Sequence, residues 1–281
     1  MSEQRQSSDE RSVQQRQASE LAELEEDAGL GVEDVTAEEQ LTPILRILHY
    51  QCPQIDPNDL GYVPNAKPGM LYNIATRETF DGNEGLDIIV CGRQRRYTEW
   101  LPRGSALGGG GFRGFHEARE PIIFDLVRKY GQFAPLHWTN DKGEEVDLIE
   151  TGELFVLYAP PPLTIENAHR AIVNFTSKSL SVYKSYISRH MQWQIPGQNK
   201  PRAVFAYRWR LTSKATSNAK GKFFVWALDL APPAGSPTEA LVRIQDPMLY
   251  QTAKASWETY QRGQVRYTPD EAVTDGEDPP F

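Results

Sequence analysis

Two segments near the C-terminal end of the chain alternate in polarity with a period of two, and this most narrows the folds open to it. In Ala203–Leu211 the residues Phe205, Tyr207, Trp209 and Leu211 alternate with Ala206, Arg208 and Arg210. In Phe223–Leu230, Phe224, Trp226 and Leu228 alternate with Phe223, Val225 and Ala227. Successive side chains of a strand point to opposite faces, so each segment predicts a strand with one buried face. The intervening stretch Thr212–Lys222 carries Lys214, Lys220, Lys222, Asn218 and Gly221, which predicts a hairpin with a long basic tip.

Upstream, Leu86-Asp87-Ile88-Ile89-Val90-Cys91 reads as a strand continuing through Arg93 to Trp100. Leu154–Tyr158 predicts another strand, stopped by Pro160-Pro161-Pro162, and residues 171–175 a short one. Gly104–Gly114, with four consecutive glycines at 108–111, reads as a mobile loop. Asn140-Asp141-Lys142-Gly143 marks a hairpin tip. Helices are predicted over residues 121–130, from Thr176 or Ser177 to about Trp193 with Leu180, Tyr183, Ile187 and Met191 at helical spacing, and from Pro247 to Arg262. Strands with one helix inserted before the last pair suit a mainly β chain with α insertions, and an OB-fold-like barrel is the expected architecture.

Charge is segregated along the chain. Overall there are 30 basic and 38 acidic residues, net −8. Residues 1–40 hold 12 acids against three arginines, net −9, and residues 268–281 hold five acids and no base, net −5. The body, 41–267, therefore has 27 basic against 21 acidic residues, net +6. The first arm has no aromatic residue and few apolar ones, so it is expected to be disordered, as is the acidic tail. Three regions follow: an acidic arm 1–40, a domain 41–267 and an acidic interaction tail 268–281. A basic body between acidic arms fits a nucleic-acid binder with self-screening tails; the alternative is arms that only confer solubility.

Basic residues interleave with aromatics in the body. Arg93, Arg95, Arg96, Tyr97 and Trp100 form one cluster, Phe112, Arg113 and Phe115 a second at the glycine loop, and Tyr207, Arg208, Trp209 and Arg210 a third. Lys178 on the middle helix and Lys214, Lys220 and Lys222 at the hairpin add charge. Unpaired strands need cations for the phosphates and flat rings for the bases. Phe205, Tyr207 and Trp209 are assigned to the core, which leaves Arg208 and Arg210 on the opposite face; Tyr97, Trp100, Phe112 and Phe115 are the candidate stacking rings.

No phosphate-cradling GxxxxGK[ST] occurs, nor GxSxG, HExxH or paired CxxC, so the chain is expected not to be an enzyme and to need no cofactor. Cys52 and Cys91 are too few for a disulfide framework or a metal quartet, and the five histidines have no ligand spacing. Asp141, Glu144, Glu145 and Asp147 could hold a divalent cation as nucleases do, but near a hairpin tip a solvated charge run is the plainer reading. No apolar run reaches the roughly 20 residues of a membrane helix, and no secretory signal is apparent, so a cytoplasmic protein without a membrane partner is expected.

The chain ends Asp275-Gly276-Glu277-Asp278-Pro279-Pro280-Phe281. A terminal ring on an acidic leash can enter an apolar pocket of a partner while the carboxylates meet basic residues around it. This tail resembles the C-terminal tip of single-stranded DNA-binding proteins, without the apolar residue those carry before the last proline. The body resembles a group of tailed-phage single-stranded DNA-binding proteins, through Ala66–Asn73, Thr76–Gly82, Arg95–Trp100, Pro102-Arg103, Gly109–Phe112, Phe175–Lys178, Tyr207-Arg208 and Lys220–Lys222. The resemblance implies sequence-independent coating of single strands in phage replication or recombination, in the host cytoplasm. It also implies that Asp275, Glu277, Asp278, Pro279, Pro280 and Phe281 dock replication or recombination proteins. The alternatives are a phage structural or adaptor protein with acidic docking arms and, more weakly, a metal-dependent nuclease. The oligomeric state is left open, a homo-oligomer included.

Overall fold

The computed structural model describes residues 42–102, 112–131, 136–218, 221–231 and 243–263. The acidic arm 1–40, the tail 268–281 with all six of its candidate docking residues, and Lys220 lie outside the described residues.

Two strands of 15 residues form the spine. These are β4 (Leu86–Trp100) and β7 (Glu145–Ala159), paired antiparallel from Asp87 opposite Ala159 to Trp100 opposite Asp147. At the near end, β4 takes β9 (Arg208–Asn218) on its free edge, and β9 pairs β10 (Gly221–Leu230). On the other side β7 pairs β8 (His169–Thr176), followed by β1 (Ile44–Ile47), β2 (Leu71–Asn73) and β3 (Thr79–Phe80), with β8–β1 the parallel pair. At the far end the same two edges carry β5 (Phe112–Glu117) on β4 and β6 (Leu136–Thr139) on β7.

Both faces of the near half are covered, which is why Ile88–Cys91 and Leu154–Ala159 run apolar without alternating. On one face α2 (Leu180–Gln192) lays Tyr183 and Tyr186 onto a core built from Leu86, Ile88, Val90, Leu154, Trp209 and their neighbours. On the other, α3 (Pro247–Gln261) packs Leu249 and Ala253 against Ile89, Cys91 and Leu157. Pro247 opens α3 and the Asp246 side chain accepts from the Met248 (2.8 Å) and Leu249 (3.3 Å) amides, an N-cap on otherwise orphaned donors. At the far end α1 (Pro121–Tyr130) sets Ile123 and Leu126 against Tyr97, Leu136 and Leu148.

At the waist a bulge at Val90–Gly92 turns β4, and two tyrosines lie flat on the ladder. A Cβ on Gly152 would stand 2.5 Å from the Tyr183 ring, and one on Gly92 2.4 Å from the Tyr260 ring, so both positions require glycine. The two hydroxyls donate to β4 carbonyls, Tyr183 to Gln94 (3.2 Å) and Tyr260 to Arg93 (2.7 Å).

The fold is a mixed α/β one with three α-helices among the described residues, and its sheet is open, which corrects the expected OB-like barrel. The sheet curls until its ends touch. Ser213 donates its amide to the Gly82 carbonyl (2.9 Å) and Phe224 stacks near Tyr50 (ring centroids 5.9 Å), but no ladder joins β10 to β3. The spine strands outrun their near-end neighbours and take new partners at the far end, so the sheet branches instead of closing.

Three further expectations change. The basic hairpin tip is short, because β9 and β10 extend to Asn218 and Gly221. Residues 204–206 form a turn of 3₁₀ helix, so the late strand starts at Arg208. On α2 the buried stripe is Tyr183, Tyr186 and His190, while Met191 is 51% exposed.

Candidate functional site

The candidate residues fall into two groups. Arg93, Arg95, Arg96, Tyr97 and Trp100 line the far half of β4, and Phe112, Arg113 and Phe115 stand on β5 beside it. Phe112 and Phe115 are therefore strand residues, not loop residues, and they have company. Their rings are 4.9 Å apart, and Trp100 meets Phe112 edge-on at 6.2 Å. Tyr97 is buried in the α1 core, which removes it as a stacking ring. The cations here are largely engaged. Arg95 pairs with Glu150 (2.6 Å), which also takes Lys184 (3.0 Å); Arg96 pairs with Glu153 (2.9 Å) and lies over Phe115; Arg113 pairs with Glu144 (3.1 Å).

The second group surrounds the β9–β10 hairpin. Tyr207, Trp209 and Leu211 are buried, and Arg208 and Arg210 turn away from them, as the alternation predicts. Arg210 is held by Asp87 (2.8 Å), whose side chain is 4% exposed, whereas Arg208 has no ion pair among the described residues. Lys178 caps the Phe223 ring at 4.7 Å and reaches the Ser217 carbonyl, Lys214 approaches Asp229 at 4.0 Å, and Lys222 is exposed.

The acidic residues near the hairpin tip separate. Glu144 binds Asn140 and Arg113, Glu145 binds Thr139, and Asp147 binds His137. Among the described residues no three His, Cys, Asp or Glu side chains gather as metal ligands do. Both cysteines are buried free thiols, and burial pushes Cys91 up to about 12.

A concavity lies at the waist, where neither group is centred. A groove of about 1060 Å³ opens between α2, the end of α3, residues 92–95 of β4, the Glu117–Arg119 turn and the segment Pro201–Phe205. Four arginines line it, Arg93, Arg95, Arg119 and Arg202, against one carboxylate, Glu117, which accepts from Gln94 (2.7 Å). Arg93 and Arg119 have no carboxylate partner among the described residues; Arg93 lies against the Tyr183 hydroxyl instead. Phe124, 61% exposed, and Met191 stand at its rim, and Phe205, Trp257 and Tyr260 supply flat apolar wall. Burial raises Tyr260 to about 12, so its hydroxyl stays protonated. His190 in the floor is pushed below its ordinary value by burial, and by the nearby Arg93 charge, so it is neutral near pH 7.

Sequence reasoning reached Arg93 and Arg95 of this groove and missed Arg119, Arg202, Phe124, Tyr186, His190, Trp257 and Tyr260. No local pattern marks them, since they come from separate segments that only the fold brings together.

Comparison with known families places the chain among bacteriophage proteins. It belongs to the Pam3 phage gp34-like protein family, whose model matches residues 10–266. That span takes in most of the acidic N-terminal arm and ends before the acidic tail. No curated protein and no solved structure matches the chain. Among the described residues no helix is long and apolar enough to cross a membrane.

Proposed function

We propose that this phage protein binds single-stranded DNA without sequence preference, during replication or recombination of the phage genome. The observation that carries the reading is the waist groove, where Arg93 and Arg119, without a carboxylate partner among the described residues, line the same groove as the rings of Phe124, Trp257 and Tyr260. Cations that track phosphates next to rings on which bases stack are the two requirements of such binding, and neither reads sequence. Arg208, Lys178 and Lys222 at the hairpin extend the cationic surface, and the tail from Asp275 to Phe281 supplies the docking element for replication or recombination proteins. Titration of the full chain with a fluorescent dT oligonucleotide and with a matching duplex tests the proposal. Single strands should bind well above duplex, with log affinity falling against log salt at a slope of about −0.7 per phosphate neutralised. Arg119→Glu should weaken binding about tenfold or more with melting unchanged. Equal or tighter duplex binding, or a flat salt response, sinks it.

One observation favours a second reading, that of a structural or adaptor protein. Arg95, Arg96, Arg113 and Arg210, four of the candidate phosphate contacts, already have carboxylate partners within the protein. An oligonucleotide left unshifted at low salt would decide for it.

A further inference from the structure

The far end of the spine carries a row of rings that the waist groove does not use. Phe112 of β5 stands 4.9 Å from Phe115 and 6.2 Å from Trp100 of β4, and all three rings are partly exposed. Arg96 lies over Phe115 at 4.4 Å. None of the three belongs to the apolar cluster of that lobe, which α1 builds around Tyr97. Sidedness ties the row to the groove. From Gly92 to Trp100 the register of β4 against β7 is unbroken, so Gly92, Gln94, Arg96, Thr98 and Trp100 share one face. Tyr260 lies on that face at Gly92, and Gln94 and Tyr260 both line the groove. Phe115 sits opposite Thr98 and Phe112 opposite Trp100, which sets these side chains on the same side of the ladder. The face therefore runs from the Tyr260 ring at the waist to the Trp100 ring, about 26 Å at ~3.3 Å per residue. One base cannot bridge that distance, whereas an extended strand can.

We infer that Trp100, Phe112 and Phe115 form a second base-stacking subsite, reached by the single strand after it leaves the waist groove along this face. The inference rests on the nucleic-acid reading above and adds to it the path of the strand across the sheet. The two subsites work by different physics. Arg93 and Arg119 of the groove have no carboxylate partner among the described residues, so they are available to phosphates. At the far end Arg96 is paired with Glu153 and Arg113 with Glu144. The groove therefore supplies affinity that falls with salt, and the far rings supply stacking that releases few counterions.

Titration of the full chain with a fluorescent dT oligonucleotide of about 16 nucleotides, at several salt concentrations, tests it. Phe112→Leu removes a ring and keeps an apolar side chain. It should weaken binding about five- to twentyfold and leave the log–log salt slope unchanged. Arg119→Glu in the groove should instead flatten that slope by about 0.7 or more. Photocrosslinking of a bromodeoxyuridine oligonucleotide to the unmodified chain gives a readout that does not depend on the folding of a variant. Adducts should fall on Trp100, Phe112 or Phe115 as well as on the groove rings. Phe112→Leu binding like the wild type, or flattening the slope, or adducts confined to the groove, overturns the subsite and keeps single-strand binding. A second copy seated on the rings would appear in sedimentation as a dimer that Phe112→Leu dissociates while oligonucleotide affinity holds, which overturns it too. An oligonucleotide that does not bind at all overturns both readings.

Discussion

At the near end of the β4–β7 ladder, Ile88, Val90, Leu154 and Val156 are shut between the curled sheet and α2; at the far end, the same two strands hold Arg95, Glu99 and Glu150, with His116 of β5 alongside, next to a small apolar cluster. The near core has 20 buried members among the described residues and the far one five, so apolar burial alone holds the near end firmly and the far end weakly. Ionic contacts supply the rest at the far end: Glu99 Oε1 accepts from Trp138 Nε1 (2.8 Å) and bonds His116 Nε2 (2.8 Å), while His116 Nδ1 meets Glu120 at 2.7 Å. One backbone ladder thus joins a region held mainly by apolar burial to one that should respond more strongly to salt and pH. The groove lies where they meet.

The largest expected effect tests that contrast directly. Phe175 is fully buried between Tyr183 and Trp226, and Phe175→Ala should cost about 3–5 kcal/mol in denaturant unfolding. Leu126→Ala in the far cluster should cost about 2 kcal/mol, at the low end of the range for its class, because the thin lobe around it can collapse into the space. A larger loss at Leu126 would invert the comparison. Next in size is the waist. Gly152→Ala puts a methyl 2.5 Å from the Tyr183 ring, which must move off the ladder; about 1–3 kcal/mol should be lost. The loss should shrink in a Tyr183→Leu background, where no ring lies in the way, and additive costs would show that the ring does not clamp the ladder.

The sequence made some of this legible. The start of β4, the extents of α1 and α3, the faces of Arg208 and Arg210 and the Asn140–Gly143 turn all follow from local pattern, and each has a local physical cause. The near half of β4 is apolar because both its faces are covered, and Asn140 shapes its own turn by accepting from the Lys142 and Glu144 amides. What stayed hidden depends on distant partners. The first half of β7, Glu145–Glu153, mixes charge with apolar residues and reads as a polar turn until Arg95, Arg96 and Lys184 meet its carboxylates. β5 was masked by the glycines before it, although Phe112 and Phe115 find Trp100 across the ladder. Whether the sheet closes depends on pairings between strands far apart in the chain, which alternation does not encode.

The smallest effect is also the most local, a pH response confined to the far lobe. Burial works against charge on His116 more than any other influence, but its bonds to Glu99 and Glu120 together outweigh burial and raise it above 6.5. A raised folded-state value means that the contribution is complete below about 6.5 and is lost as pH rises through that higher value. Glu120 is held below 4.5, chiefly by the bond to His116 and against some burial, so its contribution is lost as pH falls through the lowered value. The lobe should therefore be tightest between about 4.5 and 6.5. Both groups are partly exposed, so the change should stay under about 1 kcal/mol. Hydrogen exchange at about pH 6 and about pH 8.5, corrected for intrinsic rates, gives the readout. Amides of β5 and α1 should lose protection at the higher pH while those of β8 keep theirs, and His116→Asn should abolish the difference. Equal loosening of β8, or none in β5, would show that the two ends of the ladder open as one unit.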